Sequence, residues 1–313
     1  MDLLDAASGS MRLILGGRFG EEPAELSGRR LDLFREQGGY IIETAHSYAG
    51  GAAEAVIGEW LRRRHCRDEV VVVDKVCHPH ADGSPRVRPE VLRSEVTGSL
   101  KRFGLPSIDL VLLHRDDPAV AVEDLVGAFL DEVASGHISR FGVANWPAGR
   151  MVRFVEAARQ AGQSPVVSYQ FSLAVPQRQI WPGALHATEE ILEIVRTHNL
   201  PLLAWAAQAR GWFADGRPRQ GPDRDEADLF QTAANHEARR RCQLVAARLG
   251  VSPTTIALAW TLHQPLCVWP AVGPESEQEL TDSMAASRLA LNDSDLAFLS
   301  AARLLARKPA GKL

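Results

Sequence analysis

Short runs of apolar, often β-branched residues alternate along the chain with longer segments in which apolar residues recur at helical spacing. A short apolar run between polar or turn-forming residues predicts a buried strand, and apolar positions three and four residues apart predict an amphipathic helix. Eight strands are predicted, at 13–15, 40–43, 70–75, 108–114, 139–143, 165–169, 202–205 and 268–271. The predicted helices include 52–64, 89–103, 122–135, 149–160 and 188–197.

The alternation of strands with helices determines the expected sheet. Strand–helix–strand connections are right-handed crossovers between parallel strands, so the pattern predicts the α/β class. Eight such units in 313 residues predict a closed (β/α)8 TIM barrel that forms one domain over residues 1–313. No GxGxxG follows the first strand, as it would in an open dinucleotide-binding sheet.

Polar side chains follow three neighbouring predicted strands at the points where those strands end. Glu43 ends the second strand and Tyr48 lies shortly beyond it, Lys75 ends the run VVVDK, and His114 ends the run IDLVLLH. Reactive groups of a (β/α)8 barrel lie at the C-terminal ends of its strands. We therefore expect these four side chains to meet at one mouth of the barrel.

Composition limits the classes of partner. A hydrophobic content of 45% is enough for a large core, and a net charge of −4 gives no electrostatic reason to expect nucleic acid or an anionic membrane. No apolar run approaches the roughly 20 residues of a membrane helix, and no signal peptide is evident, so we expect a cytoplasmic protein. The 4 cysteines lack CxxC spacing, which predicts free thiols. The oligomeric state cannot be predicted from the sequence.

The longest irregular stretch covers about residues 208–234, after the seventh predicted strand. A loop of this length within a compact domain is usually a lid, a binding loop or a disordered segment. Its position predicts that it overhangs the mouth. Its charge content is equally typical of a solvated insertion.

Five segments together resemble the aldo-keto reductase family. ETAHSYAGGAAEAVIGEWL resembles its tyrosine motif, VVVDK its lysine strand, IDLVLLHRDDP its histidine strand, FGVANW its serine-asparagine strand end and GPESEQELTDS its C-terminal cofactor segment. The segments follow the family's order and cover nearly the whole chain. The resemblance implies an eight-stranded barrel and a nicotinamide cofactor, NADP or NAD, bound extended across the mouth.

The residue types suit the reduction of an aldehyde or ketone, which needs a hydride on carbon and a proton on oxygen. A free tyrosine phenol has a pKa of about 10 and supplies that proton near neutral pH when an ammonium stabilises its phenolate. The resemblance implies that Tyr48 is this donor, Lys75 the ammonium, Glu43 the carboxylate that orients Lys75, and His114 the hydrogen-bond partner of the carbonyl oxygen. Glu43 stands where the family has aspartate, and a displacement of about 1 Å costs on the order of a hundredfold in rate.

The resemblance assigns the cofactor contacts to the later strand ends. Trp205 takes the place of the aromatic residue that stacks on the nicotinamide, and Asn145 that of the asparagine that holds its carboxamide. Glu275 stands where an arginine commonly binds the 2′-phosphate of NADP, which favours NADH, relaxed NADPH use or lost cofactor binding. The other residues assigned to the cofactor are Ser168, Gln170, Gln208, Arg210, Gly211, Gly273, Glu279 and Ser283.

The expected substrate is a small-molecule carbonyl compound or alcohol. Aromatic residues in loops at the mouth suit a ring-shaped or sugar-like substrate, although single tryptophans near a barrel end are more often packing residues. The sequence does not identify the substrate. The residues assigned to its pocket are His46, Trp146, Trp181, Trp212 and Phe213.

Two other functions stay open. The run CHPH places Cys77, His78 and His80 after the third strand, and paired histidines at a strand end are typical of metal-dependent hydrolases. That pair follows the first strand in amidohydrolase-like patterns, and no later acidic strand end completes such a site, so no metal is expected. The departures from the family pattern also fit a family member without redox activity that binds a ligand or performs an epimerisation or dehydration. They fall at Glu43, Ala144, Ser168, Glu275, Glu279 and Ser283.

Overall fold

The computed structural model describes residues 11–214 and 229–305. Within them, parallel strands alternate with helices and close into one barrel in the sequence order β1 to β8. The predicted (β/α)8 barrel is therefore confirmed. The strands are β1 Ile14–Leu15, β2 Ile41–Glu43, β3 Val71–Val76, β4 Ile108–Leu113, β5 Ile138–Ala144, β6 Val166–Gln170, β7 Leu202–Trp205 and β8 Val268–Val272.

The helices lie outside the strands and cover them. Two of the predicted helices begin and end at the predicted residues because their boundaries carry clear signals: left-handed glycines at Gly51 (φ 93°) and Gly104 (φ 66°), and a proline at the first position of Pro89–Phe103. The helices of the described residues are α1 Ala24–Glu36, α2 Ala52–Arg64, α3 Pro89–Phe103, α4 Val122–Ala134, α5 Ala148–Gln160, α6 Glu189–Thr197, α7 Ala233–Leu249, α8 Pro253–Leu262, α9 Glu277–Ala286 and α10 Asp293–Leu305.

Side-chain alternation along the strands divides the apolar residues into two layers. Val71 and Val73 on β3 point into the barrel, where they pack with Leu110 and Leu112 of β4 and with Trp269 of β8. The intervening side chains face the helices and join a larger outer core. Both faces of each strand are thus buried, which explains why the strands are continuous apolar runs.

The same alternation carries polar side chains into the interior at the C-terminal end of the barrel. Glu43 and Lys75 are in phase with the inward-facing residues of β2 and β3, and His114 is in phase with those of β4. Ser168 and Gln170 continue the inward phase of β6, as Trp205 does for β7. The expected mouth is therefore formed by these strand ends.

The region after β7 is only partly described. Residues 208–214 make a short turn and α7 begins at Ala233, so the predicted loop ends near residue 232. The prediction that this loop covers the mouth rests on residues 215–228, which lie outside the described residues. Among the described helices, no single one is long and apolar enough for a membrane span, although α7 and α8, bent by 100° to each other, meet those measures as a pair.

Candidate active site

A buried ion pair joins Glu43 on β2 to Lys75 on β3. Lys75 Nζ contacts Glu43 Oε1 and donates a hydrogen bond to the carbonyl of Thr44 at 3.0 Å. Burial opposes the positive charge on Lys75, but the Glu43 carboxylate and the Tyr48 phenol outweigh it, and the pKa of Lys75 is raised. Lys75 is therefore a cation at neutral pH, and the longer glutamate side chain still reaches it.

Tyr48 lies next to this cation in the loop after β2. Its ring centroid is 5.2 Å from Lys75 Nζ and 5.8 Å from the ring centroid of His114. The side chain is 38% exposed, whereas Lys75 and His114 are 4% and 5% exposed. The structure thus brings the four predicted catalytic residues together and leaves the phenol as the group that a substrate can reach.

His114 is a neutral imidazole in this environment. Burial lowers its pKa well below the ordinary value, and the nearby charges of Lys75 and Arg115 and the ring of His78 add to this effect. A neutral imidazole donates one N–H, so His114 can hydrogen-bond a carbonyl oxygen without becoming a competing acid. Its Nδ1 is buried without a hydrogen-bond partner among the described residues.

Left-handed backbone conformations are concentrated in the loops at this mouth. Non-glycine residues with positive φ follow β2 (Ala49, φ 50°), β3 (Cys77, φ 59°) and β5 (Asn145, φ 64°), and three more follow β7. Such conformations cost free energy and persist where the surrounding structure holds them, commonly at functional sites. Their concentration supports the assignment of this end of the barrel as the active site.

Asn145 connects three strand ends through one side-chain amide. Its Nδ2 donates to the carbonyl of His114 at 3.2 Å, and its Oδ1 accepts from the backbone of Leu185 at 3.0 Å and from Trp205 Nε1 at 3.2 Å. These bonds use one of the two hydrogens on Nδ2. Within the described part of the chain the second hydrogen has no acceptor and remains for a ligand, which fits the predicted contact with a nicotinamide carboxamide.

The other residues assigned to the nicotinamide surround Asn145. Ser168 and Gln170 are buried on β6, and the amide nitrogen of Gln170 donates to Ser172 Oγ at 2.9 Å. Trp205 is partly exposed, and the ring of Trp181 lies 5.7 Å from it, centroid to centroid. The exposed aromatic surface fits a stacked planar ring.

The segments assigned to the rest of the cofactor also come together. Gln208 after β7 donates from Nε2 to Ser283 Oγ on α9 at 3.0 Å, so the two predicted segments are neighbours. Arg210 lies over the ring of Trp181 at 5.0 Å and, like Gly211, has a left-handed backbone. A Cβ atom added at Gly273 would meet no other atom within 4 Å, so there is room for a ligand beside this residue.

Carboxylates surround the N-terminus of α9, where the adenosine end of the cofactor is expected. Glu275 and Glu279 are exposed there, and the backbone of Glu275 donates to Glu279 Oε2 at 2.8 Å. Arg29 pairs with Glu277 at 3.3 Å, and Arg30 is held by Glu22 and by the carbonyl of Glu275. The residues present therefore fit a nicotinamide dinucleotide, with an acidic surface where a 2′-phosphate would lie.

The structure places three of the five residues assigned to the substrate pocket in the core. Trp146 is fully buried, packs against Phe154, and donates from Nε1 to the carbonyl of Arg115 at 3.0 Å. Trp212 is 2% exposed and donates to the carbonyl of Asn235 at 3.2 Å, and Phe213 is fully buried. These rings pack in the core because their loops turn inward. Trp181, with 42% exposure, is the pocket assignment best placed to meet a substrate.

His46, the fifth pocket assignment, belongs to an ionic cluster between β3, α2 and α3. Arg102 Nη2 donates to His46 Nδ1 at 2.6 Å and also pairs with the fully buried Glu54. His46 Nε2 lies 3.6 Å from Glu95 Oε1. Burial lowers the pKa of His46, so the ring is a neutral hydrogen-bonding partner within the cluster.

Asp74 is a buried acidic residue near the site that the sequence analysis did not single out. It alternates with Lys75 on β3, so its fully buried carboxyl faces the helices, towards Ser99 and Glu54. Burial, with the nearby charge of Glu54, raises the pKa of Asp74 to about 8. The acidic residue within the apolar run VVVDK was the available sequence signal.

We expect Asp74→Asn to make folding stability less dependent on pH. Asp74 has a folded pKa of about 8 against an ordinary value of 3.8, so folding takes up a proton between these values. Its stabilising contribution is complete below the lower value and is lost as the pH rises through about 8. Urea unfolding at pH 6 and pH 8 should show a larger loss for the wild type than for the variant, and Asp131→Asn, at an exposed position, serves as the control. Equal slopes would contradict a protonated Asp74.

The CHPH run does not form a metal site with its surroundings. Among residues 11–214 and 229–305, no group of three or more His, Cys, Asp or Glu side chains has an arrangement that could hold a metal ion. His78 instead contacts the His114 ring edge-on, with centroids 4.6 Å apart. The hydrolase alternative therefore lacks a metal centre in the described part of the chain.

Comparisons with known proteins agree with this geometry. The sequence profile of the Aldo/keto reductase family matches residues 9–303. The norsolorinic acid reductase stcV of Emericella nidulans is 27% identical over 292 residues, which cover 88% of this chain and 72% of the relative. An aldo/keto reductase from Klebsiella pneumoniae, solved in complex with NADP and acetate, superposes with a TM-score of 0.71 at 25% identity and covers 96% of this chain and 93% of its own. The thermostable aldo-keto reductase Tm1743, solved with the inhibitor epalrestat, gives a TM-score of 0.74 at 20% identity and covers 96% and 98% of the two chains.

The chain belongs to the aldo/keto reductase family. It is an NAD(P)H-dependent oxidoreductase, as the family profile, the named reductases among its relatives and the NADP complex of a structural neighbour show together. The family assignment predicted from the five sequence segments is thus confirmed.

Proposed function

We propose that this enzyme reduces the carbonyl group of a small molecule to an alcohol, with Tyr48 as the proton donor. The observation that carries the proposal is the placement of the exposed Tyr48 ring 5.2 Å from a cationic, carboxylate-paired Lys75, with a neutral His114 beside it. These groups come from three different strand ends and meet at one place at the mouth of the barrel. Their convergence supports a proton transfer at the phenol oxygen.

Each residue has a distinct part in the proposed reaction. Asn145, Trp205 and the later loops would hold the nicotinamide cofactor, which would supply the hydride for the carbonyl carbon. Tyr48 gives its proton to the carbonyl oxygen, and Lys75 stabilises the phenolate that remains. His114 donates a hydrogen bond to the same oxygen as it gains negative charge. Glu43 keeps Lys75 oriented and compensates its charge in a buried position.

The Glu43–Lys75 contact bears on the alternative that this family member has lost redox activity. The extra methylene of glutamate was the main reason to expect a displaced lysine. Glu43 Oε1 reaches Lys75 Nζ, and Lys75 remains beside the Tyr48 ring. This arrangement favours the reductase over a binding protein or a non-redox enzyme.

Two measurements test the proposed function together. NADH and NADPH should each be titrated against tryptophan fluorescence, because Trp205 lies at the expected nicotinamide position. Benzaldehyde should then be supplied with the cofactor that binds, and consumption of reduced cofactor should be followed by absorbance. Quenching together with turnover is the expected result. No quenching by either cofactor at millimolar concentration would reject hydride transfer.

We further propose that NADH is preferred over NADPH. Glu275 and Glu279 are exposed at the expected ribose end and repel a 2′-phosphate, whereas a carboxylate accepts hydrogen bonds from a ribose diol. Arg29 and Arg30 are both engaged with acidic partners. The expected cytoplasmic location likewise remains a proposal.

Glu275→Arg should shift this preference towards NADPH. The change removes a negative charge and adds a positive one at an exposed position, so we expect kcat/KM with NADPH to rise about tenfold while kcat/KM with NADH falls. Steady-state kinetics with both cofactors measure the ratio. Glu193→Arg, the same charge reversal at an exposed position on α6, is the matched control. An unchanged ratio in Glu275→Arg would place the 2′-position elsewhere.

A further inference from the structure

Arg115 is a buried cation directly beside the proposed catalytic site. It follows His114 at the end of β4 and is 7% exposed. Its Nη1 donates to the carbonyl of His114 at 2.8 Å, and its Nε donates to the carbonyl of Pro182 at 3.3 Å. The side chain is therefore held between the β4 end and the loop that carries Trp181.

No carboxylate neutralises this guanidinium among the residues that the structure describes. The two acidic residues that follow it are engaged elsewhere: Asp116 pairs with Arg150 at 2.8 Å, and Asp117 pairs with Arg88. Glu43, the acidic residue at the mouth, pairs with Lys75. Buried charges in proteins are normally paired, because the loss of hydration is otherwise uncompensated. An unpaired buried arginine thus indicates a partner that arrives with a ligand.

The guanidinium retains donors that a ligand can use. Only Nε and Nη1 have hydrogen-bond partners among the described residues. None of the Arg115 nitrogens is among the buried atoms without a partner, so Nη2 reaches solvent-accessible space. Nη2 and the second hydrogen of Nη1 lie along one edge of a planar fork, which matches the two oxygens of a carboxylate.

The charge of Arg115 acts on the same space as the catalytic groups. Burial is the main cause of the lowered pKa of His114 and of His78, and the charge of Arg115 adds to it in both; the Tyr48 phenol interacts with Arg115 in turn. Both imidazoles are consequently neutral near pH 7. Among the residues that the structure describes, Arg115 is an uncompensated positive charge close to Tyr48, whereas the residues assigned to the cofactor lie on the later strands.

We propose that Arg115 binds a carboxylate carried by the substrate, so that the enzyme prefers carbonyl compounds that bear an acidic group. This inference rests on the proposed carbonyl reduction at Tyr48, since it names the class of substrate for that site. A carboxylate paired with Arg115 would orient the substrate and neutralise the buried charge, and the carbonyl group would remain free to meet Tyr48 and His114.

The first test compares two aldehydes that differ at one end, where one carries a carboxylate and the other its uncharged methyl ester. 4-Carboxybenzaldehyde and its methyl ester are assayed with wild type, Arg115→Met and Arg115→Lys. We expect the wild type to favour the acid, and Arg115→Met to lose about 10- to 100-fold in kcat/KM with the acid, mainly through KM, as is typical of a lost charge-assisted hydrogen bond. Activity with the ester should stay within about threefold. Arg115→Lys should recover part of the preference.

Arg88→Met is the matched control, because Arg88 is a neighbouring arginine whose charge is already paired with Asp117. It should leave the preference for the acid unchanged. Equal losses with acid and ester in Arg115→Met would overturn the proposal and would show that Arg115 acts on the phenol or on the fold. A wild type that does not distinguish the two aldehydes would overturn it as well.

A second test does not depend on turnover. Benzoate is titrated into the protein without cofactor, and binding is followed by calorimetry and by tryptophan fluorescence. Saturable binding that is lost in Arg115→Met and kept in Arg88→Met is expected, and binding that survives in Arg115→Met contradicts the proposal. If benzoate binds in this way but no aldehyde is reduced, the proposed function fails and the anion site stands. If both aldehydes are reduced but benzoate binding does not depend on Arg115, the proposed function stands and the anion site is wrong.

Discussion

Tyr48→Phe should lower the rate of aldehyde reduction on the order of 10²- to 10⁴-fold, the range that a positioned proton donor contributes. The change removes only the hydroxyl, and the side chain is 38% exposed, so the free energy of unfolding should change by less than about 0.5 kcal/mol. Binding of the cofactor should persist because its assigned contacts lie on the later strands. Steady-state kinetics, fluorescence titration with the cofactor and urea unfolding measure the three effects.

Tyr40→Phe is the matched control, since Tyr40 precedes β2 at the opposite end of that strand and packs against Trp269. The same chemical change there should leave the rate within a few-fold of the wild type. If both variants retained full activity, the assignment of Tyr48 as the proton donor would be wrong.

Lys75→Met should abolish activity and also destabilise the fold. The substitution leaves Glu43 with a buried charge and no cation, because Glu43 is 8% exposed and Lys75 is 4% exposed. Removing one partner of a buried ion pair costs about 3 to 5 kcal/mol. We therefore expect a lower midpoint in urea unfolding, together with a loss of turnover at least as large as that of Tyr48→Phe.

A paired substitution separates the two effects of Lys75. Lys75→Met combined with Glu43→Gln removes both charges, so most of the lost stability should return while turnover stays absent. Glu43→Asp alone restores the residue of the family pattern and shortens the side chain that reaches Lys75. Comparison of its turnover with that of the wild type shows whether aspartate or glutamate suits this site better. A double variant as unstable as Lys75→Met would mean that Glu43 is not the group left uncompensated.

Much of the fold was predictable because local and global signals agree. The strand at Leu202–Trp205 and the helices Ala52–Arg64 and Pro89–Phe103 have the predicted bounds, and the other predicted strands differ by one residue at one end or at both. Apolar runs mark the strands because both of their faces are buried. Glycine and proline mark the helix ends because their backbone preferences act over one or two residues.

The convergence of the four proposed catalytic residues was predictable for a related reason, since strand ends of a closed barrel must meet at one mouth. The burial of Trp146 and Trp212 was not, because a loop aromatic packs inward or outward according to distant partners, here Phe154 and the carbonyl of Asn235. The unpaired charge of Arg115 was hidden for the same reason. The run HRDDP suggests two acidic partners, and only the structure shows that Arg150 and Arg88 take them.

The three hydrogen bonds of Asn145 have a thermodynamic consequence. A nicotinamide carboxamide that accepts the remaining N–H of Asn145 would bind the same side-chain amide that contacts the carbonyl of His114 and the indole of Trp205. If the bound cofactor strengthens the binding of an inhibitor to His114, that inhibitor must strengthen the binding of the cofactor by the same free energy, because such coupling is reciprocal. The ratio of the cofactor dissociation constants measured with and without a carbonyl-site inhibitor would therefore give the coupling free energy between the cofactor site and the carbonyl site.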